Sequence, residues 1–266
     1  MNNHAVGPDR AVYTVMDRSG RVYRFAADGA PDGWWQAAYF PSTIATGPLG
    51  ATADGAVYVL WTPQTIGQPA HGPPRVTRYA PRGETLAEWE AAPMAYDLAV
   101  VVTDSAPEGV VHVADAGGLL RRFAPDGTFL GEWRTVAGAE RRIAAAPAGL
   151  LYVAAPGELW RYGETGEGSL ACRLPAGEVR DLAADPRTGD IYVLYPDSVL
   201  RLAQDCAVRA RIGREQMTAP AAAPTAAPGG QRLYLPAARA AAAGHPGPAV
   251  RAGPQPRGAE RCPCPT

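Results

Sequence analysis

The stretch Leu120-Arg121-Arg122-Phe123-Ala124-Pro125-Asp126-Gly127 decides the fold, because its pattern occurs five times in this chain of 266 residues. Each copy has an arginine with one apolar residue directly after it and another two places before it. A glycine stands five places after the arginine in four copies, and a cysteine in the fifth. Successive arginines lie 54, 44, 39 and 40 residues apart, at Arg24, Arg78, Arg122, Arg161 and Arg201. A period near 40 made of short apolar runs indicates a radially repeating β architecture.

Three further runs complete each repeat. A β-branched run before the arginine phrase predicts a strand, and one aromatic position recurs in it, at Tyr13, Tyr58, His112, Tyr152, Tyr192 and Tyr234. Alanine-rich runs come earlier and predict inner strands, at residues 49–53, 98–101, 143–146 and 182–184. A tryptophan six places after the glycine marks a fourth strand, at Trp35, Trp89 and Trp133. Four antiparallel strands around a crowded axis, where alanine suits the limited space, form a blade of a β-propeller.

We therefore predict an all-β fold, a six-bladed β-propeller of four-stranded antiparallel blades, over residues 1–240. The blades are expected at about residues 7–40, 45–93, 95–138, 140–177, 179–214 and 217–240. The sixth blade is incomplete, because prolines interrupt its inner strand and its outer strands are hard to find. Residues 241–266 hold few large apolar side chains, which predicts a disordered tail. The open edge of the incomplete blade invites pairing with another chain.

Composition excludes several functions. The formal net charge of −1 predicts no nucleic-acid partner, and no apolar run is long enough to span a membrane. No secretory signal is visible at the start of the sequence, so the cytoplasm is the default expectation for its location. The chain has no lysine, which excludes Schiff-base chemistry and a phosphate-binding loop ending in Gly-Lys.

The repeated side chains have structural interpretations. We expect each repeat arginine to cover a neighbouring blade with its stem while its head reaches a carbonyl or carboxylate; the alternative is a ring of arginines that binds a ligand. His112 occupies a tyrosine position and is predicted to be a core residue. Cys172 stands in a tryptophan position and Cys206 in a glycine position. Because these positions lie at different levels of the repeat, we expect no disulfide between them and interpret Cys172 as a small buried hydrophobe.

The stretch Val113-Ala114-Asp115-Ala116-Gly117, followed by the octapeptide at 120–127, resembles NHL repeats. Residues 7–240 as a whole are similar to the wider group of six-bladed propellers that also contains the gluconolactonases. The resemblance implies a protein-binding, RNA-binding or hydrolytic propeller. Lactonase-like members hold a divalent metal in the central channel with carboxylates and an asparagine. Asparagine occurs here only at Asn2 and Asn3, so that ligand set does not carry over.

Charged residues are expected to gather at one mouth of the central channel. Asp97, Arg142 and Asp181 each stand directly before the first apolar residue of an inner strand, so they share a register. Converging carboxylates there would suit a hard cation; the alternative is a solvated rim. The longest insertion, residues 61–74, lies on the same face, with Trp61 and His71 as its candidate contact residues; the alternative is a tolerated insertion with no binding role.

These observations predict a non-enzymatic scaffold without a cofactor, which binds a protein or small ligand at the channel mouth and the 61–74 loop. The ligand-binding residues are then Trp61, His71, Asp97, Arg142 and Asp181. The alternative is a metal-dependent, lactonase-like hydrolase that holds a divalent cation such as calcium. Its ligands would be Asp97 and Asp181, together with Asp17 and Glu158.

Overall fold

Five four-stranded sheets follow one another along the chain in the computed structural model, which describes residues 4–7, 9–15, 20–37, 41–46, 55–61, 72–135, 142–185 and 187–218. Every sheet is an antiparallel meander, with its strands hydrogen-bonded in chain order. This is a β-propeller, as predicted, with five blades in the described residues. All five lie in the unit Met1–Gln216.

The strands of each blade run from the inner to the outer edge. Blade 1 contains β1 (His4–Val6), β2 (Val12–Val15), β3 (Arg21–Phe25) and β4 (Pro31–Gln36). Blade 2 contains β5 (Pro41–Thr46), β6 (Val57–Trp61), β7 (Arg75–Tyr79) and β8 (Thr85–Glu90). Blade 3 contains β9 (Ala95–Val101), β10 (Val110–Asp115), β11 (Leu119–Phe123) and β12 (Phe129–Arg134). Blade 4 contains β13 (Arg142–Ala146), β14 (Leu150–Ala155), β15 (Glu158–Tyr162) and β16 (Gly168–Arg173). Blade 5 contains β17 (Asp181–Ala184), β18 (Ile191–Leu194), β19 (Ser198–Leu202) and β20 (Val208–Gly213).

Two predicted boundaries need correction. The inner strand of blade 2 is β5 at Pro41–Thr46, upstream of the alanine-rich run at 49–53, which lies outside the described residues. Within the described residues the structure has five blades where six were predicted, and a short helix, α1 (Arg214–Thr218), follows the fifth. Beyond that helix, the predicted sixth blade at 217–240 and the tail at 241–266 lie outside the described residues. In the described part of the chain, no helix is long and apolar enough to cross a membrane.

Successive blades stack in one direction. The face of a blade that carries the recurrent tyrosine, here called the tyrosine face, packs on the opposite face of the next blade, here called the valine face. Tyr13 thus lies in one apolar cluster with Val57 and Val59 of blade 2. Tyr152 in the same way meets Ile191 and Val193 of blade 5. Burying such side chains stabilises each joint between blades, because apolar surface leaves water.

The two terminal blades each have one face that is less covered. In β2, Val12 and Thr14 are half-buried, whereas Tyr13 and Val15 between them are buried. The alternation is reversed in β18, where Tyr192 and Leu194 are half-buried. In β6 of blade 2, by contrast, four consecutive residues are buried. Blade 1 therefore has its valine face partly open and blade 5 its tyrosine face.

The outer strands are joined by a tryptophan that lies on the turn glycine of the following blade. A Cβ atom added at Gly127 would lie 2.8 Å from Trp89, and one added at Gly166 would lie 2.7 Å from Trp133. Both glycines have positive φ angles, 91° and 83°. The position therefore excludes a side chain twice, by the backbone conformation and by the indole above it. Trp35 and Gly83 form the same pair between blades 1 and 2.

A disulfide replaces this pair between blades 4 and 5. Cys172, in the tryptophan position, is bonded to Cys206, in the glycine position, with their Cα atoms 6.0 Å apart. The expectation of no disulfide was wrong, because the two positions lie at different levels of one repeat but meet between successive repeats. Cys172 is also half-buried rather than buried. Cys206 keeps the left-handed backbone of its glycine counterparts, with φ 69°.

The repeat arginines act structurally where their contacts are resolved. Arg201 Nε donates to the Asp190 carboxylate at 2.7 Å, and Arg122 donates to the backbone carbonyl of Glu164 in the next blade at 2.7 Å. Arg24 pairs with Asp9 and Asp32. The predicted contact of each head with a carbonyl or carboxylate is therefore confirmed at these three positions.

Candidate functional site

Three predicted site residues occupy equivalent positions at the same end of adjacent inner strands. Asp97, Arg142 and Asp181 each pair with the residue two places after the tyrosine position of the second strand, namely Ala114, Ala154 and Leu194. The shared register that the sequence predicted is thus present. We call Asp97, Arg142, Asp181 and the neighbouring His4 the mouth group.

Asp97 is the buried member of the mouth group, with 2% of its surface exposed. One carboxylate oxygen accepts from the Leu98 amide and the other from the Ile143 amide of blade 4, both at 3.0 Å. Burial, and then the charge of Asp181, raise the pKa of Asp97 to about 7, against the opposing effect of the two amides. Asp97 therefore joins two blades and is only partly charged near neutral pH.

The other members lie around Asp181. Burial raises the pKa of the Asp181 carboxyl, although the Leu182 amide, at 2.8 Å, and the charges of His4 and Arg142 oppose this. Burial also lowers the pKa of His4, with Asp181 acting against it. His4 belongs to β1 of blade 1, and the sequence analysis did not select it. The sequence alone could not predict its place beside Asp181, because that depends on which inner strands lie next to each other in the fold.

Arg142 is held by a backbone carbonyl and lies beside an aromatic ring. Its Nε donates to the Arg180 carbonyl at 2.8 Å, and its guanidinium carbon lies 5.7 Å from the centre of the Tyr96 ring. The Arg142 charge acts on both carboxyls of the mouth group. Among the described residues, however, Arg142 forms no ion pair within 4.0 Å with either of them.

The pKa of Asp97 predicts a pH-dependent stability. A carboxyl whose pKa rises from 3.8 to about 7 on folding binds a proton more tightly in the folded state. The free energy of unfolding should then fall by up to about 1.4 kcal/mol per pH unit as the pH rises from 3.8 to about 7. Buried His4 acts in the opposite direction, because its lowered pKa makes stability fall as the pH drops through the usual histidine range.

Urea unfolding of the wild type and of Asp181→Asn between pH 5 and pH 8 tests the joint contribution of the two carboxyls. The variant keeps His4, removes the raised carboxyl of Asp181 and removes the charge that helps to raise the Asp97 pKa, so it should lose less stability as the pH rises. Equal pH slopes in the two proteins would contradict the assignment.

The remaining predicted residues are engaged elsewhere or are not described. Glu158 accepts from the Trp160 indole at 2.8 Å and pairs with Arg173. The Trp61 indole donates to Thr77 at 2.9 Å, so the ring is anchored at the end of β6. His71 and Asp17 lie outside the described residues. In the described part of the chain, no three His, Cys, Asp or Glu side chains group together so as to hold a metal ion.

A cavity of about 320 Å³ lies between blades 3 and 4, at the opposite end of the strands from the mouth group. His112, Arg122 and Glu164 are among the residues that line it, together with Val101 and Leu151. His112 is 5% exposed, so its prediction as a core residue is confirmed. The sequence analysis missed the cavity, although the histidine in a tyrosine position was its signal.

Comparisons with known proteins establish the fold alone. No protein-family model and no curated protein matches the chain. Among solved structures, a streptogramin B lyase has a TM-score of 0.54 at 13% identity, covering 79% of this chain and 67% of that one. The virginiamycin B lyase of Staphylococcus aureus has a TM-score of 0.54 at 11% identity, covering 79% and 69%. A protein of unknown function from Bacteroides caccae has a TM-score of 0.53 at 16% identity, covering 80% and 81%.

Proposed function

We propose that this chain is a non-catalytic binding propeller that holds a protein segment or a small ligand at the channel mouth. The observation that carries the proposal is the separation of Arg142 from Asp181. Their charges act on each other, yet they form no ion pair within 4.0 Å in the described residues. A half-buried cation and a half-buried carboxylate that do not pair directly each keep the capacity to bind a ligand group of complementary polarity.

The free atoms of these two side chains indicate the kind of group. Arg142 uses Nε on a backbone carbonyl, and its terminal nitrogens have no hydrogen-bond partner in the described residues. Asp181 uses one oxygen on the Leu182 amide, which leaves the other as an acceptor. A donor fork beside an acceptor complements an amide, whose carbonyl accepts and whose N–H donates. A backbone segment or a carboxamide is therefore the ligand chemistry that we propose.

The hydrolase alternative has less support. Each carboxylate oxygen of Asp97 already accepts a hydrogen bond from a backbone amide, and Glu158 forms an ion pair with Arg173. Neither carboxylate is poised to hold a divalent cation with Asp181. The printed names of two structural neighbours describe lyases, but at 11–13% identity these activities are not transferred to this chain. The resemblance to NHL and gluconolactonase propellers also stays a prediction.

Selection of peptides tests the binding proposal. A random peptide library is enriched on the wild type and then measured on the variant Arg142→Gln with Asp181→Asn. We expect the enriched peptides to bind the variant at least tenfold more weakly, since each lost charge-assisted hydrogen bond costs about 1.5–3 kcal/mol. The matched control is Arg121→Gln with Glu132→Gln, an ion pair on the outer strands of blade 3, which should leave binding unchanged.

Two outcomes would reject the proposal. One is enrichment of peptides that bind the mouth variant as well as the wild type. The other is hydrolysis of a simple lactone such as gluconolactone on addition of calcium or zinc, lost in Asp181→Asn. The second result would favour the metal-dependent alternative.

A further inference from the structure

The mouth residues of blades 3 and 4 each hold the backbone of the next blade. In blade 3, Asp97 accepts a hydrogen bond from the amide of Ile143 in β13, the inner strand of blade 4. In blade 4, the equivalent residue Arg142 donates to the carbonyl of Arg180, one residue before β17 of blade 5. At two successive joints, therefore, the side chain at this one position fixes the inner strand of the following blade by its backbone.

Asp181 has the same position in blade 5 but makes only half of the same contacts. One of its carboxylate oxygens accepts from the amide of the following residue, Leu182, as Asp97 does from Leu98. The second oxygen of Asp97 accepts from the next blade, whereas the second oxygen of Asp181 has no hydrogen-bond partner among the described residues. The last described blade therefore keeps an acceptor of the kind that holds an inner strand at the joint between blades 3 and 4.

The tyrosine face beside Asp181 is open where its counterpart in blade 3 is covered. Three residues that share the face with Asp97 are at most 5% exposed, namely Ala99, His112 and Ala114. The equivalent residues of blade 5 are more accessible, since Ala183 is exposed and Tyr192 and Leu194 are half-buried. Apolar surface and an unused acceptor thus lie together on one face of blade 5.

Strand β13 shows what kind of segment fits such a face. It is an extended strand that packs against β9 of blade 3. While the Ile143 amide donates to Asp97, the Ile143 side chain lies in one apolar cluster with Ala99 and Ala114. The three residues after Ile143 in this strand are all alanine. The face therefore fits an extended segment with an aliphatic residue at the donating amide and small residues after it.

We propose that blade 5 binds an extended segment of another polypeptide, which lies on its tyrosine face as β13 lies on that of blade 3. The amide of an aliphatic residue in the segment donates to Asp181, and the side chain of that residue covers Ala183 and Leu194. The backbone contact gives affinity, and the pocket for one side chain gives specificity. This inference rests on the proposed function, because Asp181 belongs to the mouth group, and it narrows the ligand from any amide to an extended peptide.

A capped peptide with the sequence of residues 140–147, which contains β13, is the probe. Titration calorimetry should show saturable binding of this peptide to the full-length wild type. N-methylation of its isoleucine removes the donor to Asp181 and should weaken binding at least tenfold, because a hydrogen bond to a charged group is lost. N-methylation of the alanine that corresponds to Ala145 is the control and should have a smaller effect. In Asp181→Ala the acceptor is absent, so the peptide and its isoleucine-methylated form should bind equally.

A second variant tests the position of the peptide without changing the mouth group, and it keeps the test decisive if Asp181→Ala does not fold. Ala183→Gln puts a longer, uncharged side chain where the aliphatic residue of the peptide should lie, and it should weaken binding at least tenfold. Ala207→Gln is the matched control, because Ala207 is an exposed alanine in the turn between β19 and β20 of the same blade. This control should bind the peptide as the wild type does.

Three results would overturn the inference. The first is the absence of saturable binding of the peptide to the wild type. The second is binding that neither N-methylation of the isoleucine nor Ala183→Gln weakens. The third is self-association of the chain that Ala183→Gln abolishes and the peptide does not reverse, which would assign the face to a second copy. If selected library peptides still depend on Arg142 and Asp181 in any of these cases, the proposed function stands without this inference.

Discussion

Loss of the Cys172–Cys206 disulfide is expected to lower the free energy of unfolding by about 3–4 kcal/mol. The bond closes a loop with a sequence separation of 34 residues, and the chain-entropy relation for a loop of this length gives that range. The comparison is between the oxidised wild type and Cys172→Ser with Cys206→Ser, unfolded in urea without a reductant. Equal stability of the two proteins would contradict a structural role for the bond.

The tryptophan–glycine pairs at the other joints suggest a second variant. Cys172→Trp with Cys206→Gly rebuilds at this joint the tryptophan–glycine pair that Trp89 and Gly127 form at another. It also returns glycine to a position whose φ is 69°. This variant should recover part of the stability that the serine variant loses. If it is no more stable than the serine variant, the two kinds of joint are not equivalent.

The disulfide also bears on where the protein works. Disulfides persist in oxidising compartments and are rare in the reducing cytosol. In a reducing compartment the two cysteines would be thiols, so the stability difference predicted above applies to the oxidised chain.

Trp89→Ala should cost about 3–5 kcal/mol, the range for removing a large aromatic side chain from a core. Trp89 is 8% exposed, and its ring lies 6.0 Å from Phe123 and 6.5 Å from Tyr58. It also lies against the turn at Gly127 in the next blade. Its removal therefore opens a cavity at the joint between blades 2 and 3.

Trp34 is the matched control, since it also lies on an outer strand but is 55% exposed. Its visible contact is with Arg21, at 4.4 Å from the ring centre, so Trp34→Ala should cost at most about 1 kcal/mol. Urea unfolding of both variants measures the difference. Similar losses would show that the tryptophan position is not the outer attachment between blades.

Much of the architecture could be predicted because the same residue pattern occurs in every blade, so each strand assignment is supported by several copies. The tyrosine and tryptophan positions identified the second and fourth strands, and the register of Asp97, Arg142 and Asp181 followed from counting along the inner strands. The inner strand of blade 2 was misplaced because the prediction relied on alanine. The observed strand, Pro41–Thr46, contains Thr43, Ile44 and Thr46, whose β-branched side chains were the better signal.

Features that lie between repeats could not be predicted in the same way. The disulfide, the place of His4 beside Asp181 and the cavity beside His112 each depend on which positions of different blades meet. A single repeat holds no information on that pairing. Once one tryptophan is known to lie on the glycine of the next blade, the partner of Cys172 follows directly.

The one-directional stacking of blades brings the same two kinds of face together at each joint between described blades. Each unit offers a tyrosine face to its successor and a valine face to its predecessor, so a duplicated or deleted unit of about 40 residues brings matching surfaces with it. Such a chain can change its number of units by recombination at the level of the gene without evolving a new contact. Within that common arrangement one joint has a disulfide where the others have an indole on a glycine. Each of these outer contacts involves residues that the other joints do not share, so a substitution there changes one contact directly.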